Sequence, residues 1–96
     1  MIDWTCVSDL REEVGDEDFQ EVISLFVDEV ESALAGLDPA APASEDLHFL
    51  KGSALNLGFT ALARRCAPPA DAEDLRACFA ESKAVFLAEL PRRLAA

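Results

Sequence analysis

Tyrosine is absent, histidine occurs once, and only four of the 96 residues are glycine and five proline. With so few glycines there is no P-loop and no glycine-rich lid to cradle a nucleotide phosphate. No apolar run reaches the roughly 18 residues that a membrane helix needs. The first residues carry Asp3 where a secretory leader would be basic, so neither a span nor a signal peptide is expected, and the chain reads as cytoplasmic. Basic side chains are scarce as well: 8 against 19 acids, a formal net charge of −11. That field repels phosphate backbones and anionic lipid, which argues against nucleic acid and membranes as partners. The three cysteines, Cys6, Cys66 and Cys78, are far apart and form no CxxC pair. No ligand spacing supports zinc held by them and His48, and no calcium-loop pattern occurs in the acidic runs, so no metal or cofactor is expected. The thiols read as small buried hydrophobes in a reducing compartment.

Apolar residues make up 51% of the chain. Alanine and leucine are abundant, a mix that favours helices. One domain over residues 1–96 fits the length. Val7, Leu10 and Val14 fall at helical spacing over residues 4–14, with Gly15 placed to end that segment. Asp16 is a candidate cap for the next helix, in which Phe19, Val22, Ile23, Phe26, Val30, Ala33, Leu34 and Leu37 mark one face. Leu25 and Val27 widen that arc, which predicts more than one packing neighbour. Pro39 and Pro42 punctuate the linker that follows. Ser44 can cap a third helix running to Leu57, and Thr60 a short fourth that Pro68 and Pro69 stop. A last helix from Asp71 carries an inner stripe of Leu75, Cys78, Phe79, Ser82, Phe86 and Leu90, and Pro91 ends or kinks it. Trp4 reads as a lid over one end. No stretch alternates with period two. The pattern predicts an all-α fold: an antiparallel four-helix bundle with a short additional N-terminal helix.

The third helix has two unlike faces. At about 100° per residue, Leu47, Leu50, Ala54 and Leu57 share one stripe. His48, Lys51, Gly52 and Leu55 form another, and Phe49, Ser53 and Asn56 occupy the rest. His48 should therefore face solvent. Imidazole changes charge near neutral pH, and its neutral form is a nucleophile toward phosphorus that makes a labile N–P bond. Lys51 is placed to balance a phosphoryl dianion. Gly52, one turn on, costs a helix about 1 kcal/mol relative to alanine, which suggests clearance for something that approaches closely.

The string His48-Phe49-Leu50-Lys51-Gly52-Ser53-Ala54, continued by Leu57-Gly58, resembles the core of the histidine phosphotransfer (HPt) family of two-component phosphorelays. The resemblance implies a phosphocarrier without a nucleotide site of its own, not an independent enzyme. His48 would be phosphorylated on its outer ring nitrogen, with Lys51 stabilising phosphate charge, Gly52 giving steric clearance and Ser53 a further candidate at the site. The implied partners are response-regulator receiver domains, a sensor histidine kinase, or both, with magnesium held in the receiver's acidic pocket; one bundle per chain makes a monomer the default expectation. Leu47 stands where the family commonly has a small alanine. The connection from Cys66 to Asp74 is compact, so the fourth helix should be short, leaving Arg64 and Arg65 as candidates for an additional basic residue. Two readings of other classes compete: a helical adaptor that binds receivers or kinases without being phosphorylated, and an acidic carrier bearing a prosthetic group on Ser8. Ser8 falls in mid-helix, which argues against the carrier.

Overall fold

Asp3 starts the helical chain by accepting backbone hydrogen bonds from Thr5 (3.1 Å) and Cys6 (3.3 Å) on its carboxylate, so it caps the first helix. In the computed structural model, which describes residues 2–95 and the side chains of 2–93, five helices follow in order. They are α1 (Trp4–Val14), α2 (Asp16–Ala35), α3 (Ser44–Leu57), α4 (Thr60–Arg65) and α5 (Ala72–Ala95). The helix limits are close to those expected from spacing, but three caps differ. Gly15, Ala43 and Phe59 occupy the N-cap positions of α2, α3 and α4, and none supplies a side-chain cap bond. Asp16, Ser44 and Thr60 are instead the first helical residues. α5 runs through Pro91. Pro91 lies on the exposed side of that helix, where a missing backbone bond costs least.

One continuous core draws on every helix: Val7 from α1, Phe19, Ile23, Val27, Val30 and Leu34 from α2, the Leu47 stripe from α3, Leu62 and Ala63 from α4, and the stripe from Leu75 to Leu90 from α5. Burying side chains of this size contributes roughly 1.5–3 kcal/mol each, and this offsets the chain entropy. α2 packs on α1, α3 and α5, while α4 lies between α3 and α5. At about 1.5 Å per residue the 24 residues of α5 reach nearly the full long dimension of a 42 × 19 × 17 Å molecule. Trp4 is half-buried, stacked on Phe86 with ring centroids 5.6 Å apart, and carries the Arg93 guanidinium on its other contact at 4.9 Å. It closes one end of the core as a lid.

Polar ties fix how the long helices sit. The Arg76 guanidinium donates two hydrogen bonds to the Leu34 carbonyl, at 2.8 and 3.1 Å. That carbonyl lies in the last turn of α2, which has no basic residue of its own, so a side chain of α5 completes the helix end. Lys83 pairs with Glu31 at 3.3 Å across the same two helices, and Arg65 pairs with Asp74 at 2.8 Å between α4 and α5. Ser82, in contrast, is fully buried, and among the described residues its hydroxyl has no hydrogen-bond partner.

The end of α3 holds the chain's sharpest backbone demand. Gly58 is left-handed (φ 76°), its N–H bonds the Leu55 carbonyl at 3.1 Å, and the Phe59 N–H bonds the Ala54 carbonyl at 2.8 Å. This paired closure terminates the helix, with buried Phe59 packed beyond it. The N-terminal segment crosses here: Asp3 N–H reaches the Gly58 carbonyl at 2.7 Å, and Ile2 bridges Phe59. A Cβ on Gly58 would sit 2.6 Å from the Asp3 carbonyl oxygen. The leucine-glycine pair after the motif is therefore an architectural stop that fixes where α3 ends and α4 turns away.

Candidate functional site

α3 presents its chemistry outward. Leu47, Leu50, Ala54 and Leu57 are buried, while His48, Lys51, Gly52 and Leu55 are exposed. The sole imidazole is thus open to solvent on the middle of the outer arc. Lys51 lies about 60° from it toward α4, and Phe49 about 100° from it toward α2. A Cβ added to Gly52 would meet nothing within 4 Å. No close helix crossing within the chain requires a glycine at that position, so its missing side chain leaves open space beside His48.

Ser53 differs from its three companions in the motif. It is buried, on the inner side of α3 about 140° around the helix from His48. Asn56 is exposed, but it lines a different groove, with residues of α1 and α2. The imidazole, the ammonium and the glycine therefore share one face, and the serine does not.

A groove of about 540 Å³ lies against that face between α3 and the segment after α4. His48, Lys51, Glu45 and Leu47 line one wall, and Cys66 and Pro68 the other. A second hollow of about 290 Å³ continues from Lys51 along α4, lined by Leu55, Ala63 and Arg64. The two candidate arginines separate here. Arg65 turns away into its pair with Asp74, whose hydrogen bond raises an already high guanidinium pKa. Arg64 lines the hollow with Lys51. Among the described residues neither Lys51 nor Arg64 makes an ion pair, whereas Arg65, Lys83, Arg92 and Arg93 do. Lys51, in the groove with His48, and Arg64, in the adjoining hollow, are open to an anion from outside.

The thiols are not part of this chemistry. Cys66 lines the groove yet is buried, and its thiol donates to the Leu62 carbonyl at 3.3 Å. Burial first, and nearby Cys78 second, push its pKa up to about 11, with Lys51 pulling weakly the other way. It stays a protonated, unreactive thiol near neutrality. Cys6 donates to the Leu55 carbonyl at 3.2 Å, filling an orphan acceptor at the end of α3, and its pKa is raised by burial and by Asp3 and Asp9. Among the described residues no group of three or more His, Cys, Asp or Glu side chains is arranged to hold a metal ion, and no helix is long and apolar enough to cross a membrane.

Two features of the site had no clear signal in the sequence. Leu25, assigned by its spacing to a packed arc, is 56% exposed, and with half-exposed Phe49 it forms an apolar patch on the α2 side of His48. The wall supplied by Cys66 and Pro68 depends on how the loop after α4 folds back. No family model matches the chain, and no curated protein or solved structure matches it.

Proposed function

We propose that this chain is a histidine phosphotransfer module that takes a phosphoryl group from, or returns it to, the aspartate of a receiver domain through His48, with a sensor kinase as a further possible donor. On this reading α2, α3, α4 and α5 form the antiparallel four-helix bundle and α1 is the short preceding helix. The closed order of packing, α2 on α3, α3 on α4, α4 on α5 and α5 on α2, supports that arrangement. The observation that carries the function is the placement of the only imidazole: solvent-facing, one turn from a glycine whose Cβ position is empty space, and in one groove with Lys51, which makes no ion pair among the described residues.

The chemistry needs little from the carrier. The Nε2 lone pair of neutral His48 attacks the phosphorus of the receiver's aspartyl phosphate. The P–N bond forms as the P–O bond to the carboxyl oxygen breaks, and the electron pair leaves on the receiver's carboxylate. The proton on Nδ1 stays on the ring, so no base is required. Lys51 lies where it can balance the charge of the transferring group, with Arg64 behind it. Gly52 leaves room for the receiver's loops. The magnesium belongs to the receiver's acidic pocket.

The test is phosphoryl transfer from a panel of phosphorylated receivers to the wild type and to His48→Gln. Labelled wild type and unlabelled variant, with matching helical signals, are expected. Label on the variant would remove His48 from the role. Tight receiver binding without label on either protein would favour the unphosphorylated adaptor.

A further inference from the structure

In a chain of net charge −11, an anion has few places to bind. Of the eight basic residues, six are already engaged. Arg11 pairs with Asp16, Arg65 with Asp74, Lys83 with Glu31, and Arg92 and Arg93 with Glu89, while Arg76 holds the Leu34 carbonyl. Lys51 and Arg64 are left, and among the described residues neither makes an ion pair. Both line hollows on the α4 side of His48. Lys51 and Ala67 belong to both hollows, so the larger groove runs into the smaller one at these two residues. The walls of the larger groove are mostly apolar: buried Leu47 and Cys66, with exposed Ala67 and Pro68. Its volume of about 540 Å³ falls within the range of small-molecule sites, roughly 300–1,000 Å³. It is also polarised along α3. Glu45 stands toward one end and Lys51 toward the other, about 9 Å apart at 1.5 Å per residue. An apolar trough with a carboxylate at one end and an unpaired cation at the other fits a molecule that is apolar along its body and anionic at one tip.

We propose that this groove binds a small organic anion with an apolar, ring-sized body, and that the bound molecule covers His48 and competes with phosphoryl transfer. The binding rests on the groove alone, and its effect on transfer rests on the phosphotransfer reading. The apolar body lies on Leu47, Cys66 and Pro68. The anionic group meets Lys51 at the junction of the two hollows, with Arg64 beyond it and Glu45 repelling it from the other end. Inorganic phosphate is a poor occupant, because it gains nothing from apolar walls and leaves most of the groove to water. A neutral apolar molecule leaves both cations unmet. His48 lines the same groove, so an occupant stands between the imidazole and an incoming aspartyl phosphate. It also takes up the Lys51 ammonium that the transferring group would use. Transfer then depends on the concentration of a metabolite-sized acid as well as on the receiver.

The probe is 1-naphthyl phosphate, with inorganic phosphate as the anion alone and 1-naphthol as the apolar body alone. Binding to the ¹⁵N-labelled chain is followed by amide NMR shifts. Saturable binding of naphthyl phosphate is expected, with shifts centred on residues 44–51 and 66–68, and each half-molecule should bind at least tenfold more weakly. Lys51→Ala and Ala67→Glu, both at exposed positions, should each weaken binding at least fivefold, and thermal melts check that they fold. Arg92→Ala, which removes a cation near the C-terminal end of α5, should change it less than twofold. Single-turnover transfer is then measured from the receiver that labels the wild type fastest in the panel above. The probe at ten times its dissociation constant should slow labelling about tenfold at low receiver concentration and little at saturating receiver. Naphthyl phosphate that binds no tighter than either half, shifts centred elsewhere, or a loss under fivefold in either groove variant overturns the site. Binding that leaves transfer unslowed overturns the competition. Absence of label from every receiver would remove the phosphotransfer reading and the competition with it, whereas the binding is measured on the chain alone and fails or stands separately.

Discussion

The inner and outer faces of α3 are made from fourteen consecutive residues, yet they obey different rules. Leu47, Leu50, Ala54 and Leu57 are buried against the other helices, where each lost methylene leaves a void. His48, Lys51 and Gly52 touch little of their own chain. Gly52 weakens the helix locally and meets no neighbour at its Cβ position, and among the described residues the ammonium of Lys51 makes no ion pair. On the proposed function, stability is concentrated on one face and reactivity on the other, so substitutions on the two faces should separate cleanly in experiment.

The largest separation is expected from Leu50→Ala. Leu50 is completely buried, and its truncation should cost about 2–5 kcal/mol in urea unfolding. Phosphoryl uptake per folded molecule should stay near wild type. Loss of uptake in fully folded Leu50→Ala would mean that the inner face shapes the site directly.

Next in size is the dependence on alkaline pH set by Cys66. The native state holds this thiol protonated up to about 11, above its ordinary 9.0, chiefly through burial. The unfolded chain releases the proton first as pH rises. The contribution is therefore full below pH 9.0 and is lost as pH climbs through about 11, a fall on the order of 2–3 kcal/mol. The chain has no tyrosine to obscure that window. Urea melts at intervals across it should show the decline in wild type and a shallower one in Cys66→Ala.

Smaller effects follow for polar groups inside the fold. Ser82→Ala should raise stability by about 1 kcal/mol, because it removes a buried hydroxyl that has no partner. Unchanged or lower stability in the melt would point to a hydrogen bond for Ser82 in solution. The smallest change in stability belongs to the outer face. Gly52→Gln should shift the melt by less than about 1 kcal/mol, toward greater stability, since glycine is a poor helix former. The same substitution should slow transfer from a receiver severalfold or more. If helicity fell instead, the glycine would be serving the fold, and the contrast between the two faces would be wrong at its central position.

Much of this contrast was readable in the sequence, because it depends on angles around a single helix. Steps of three and four residues located the buried stripes of α3 and α5, and Gly58 marked where α3 stops. What escaped depended on neighbours. Arg64 and Arg65 differ by one position, and only the location of Asp74 on α5 decides which is tied down. Leu25 falls in an arc that periodicity cannot divide into covered and uncovered parts. Ser53 lies at the margin between faces, and the packing around α3 buries it. The expected caps at Asp16, Ser44 and Thr60 each fell one residue late, since capping side chains are also common in a first helical turn. Arg76 closing the end of α2 joins residues 42 positions apart, which no local pattern announces.

The most direct test uses the fact that the chain has a single histidine. Protein labelled with ¹⁵N only in that ring would be mixed with a phosphorylated receiver and followed by NMR. A one-bond phosphorus coupling on Nε2 of His48, appearing as the receiver loses its phosphate, is the predicted result. Ring nitrogens that stay unchanged while the receiver loses its phosphate, or while phosphate accumulates elsewhere on the chain, would contradict the account.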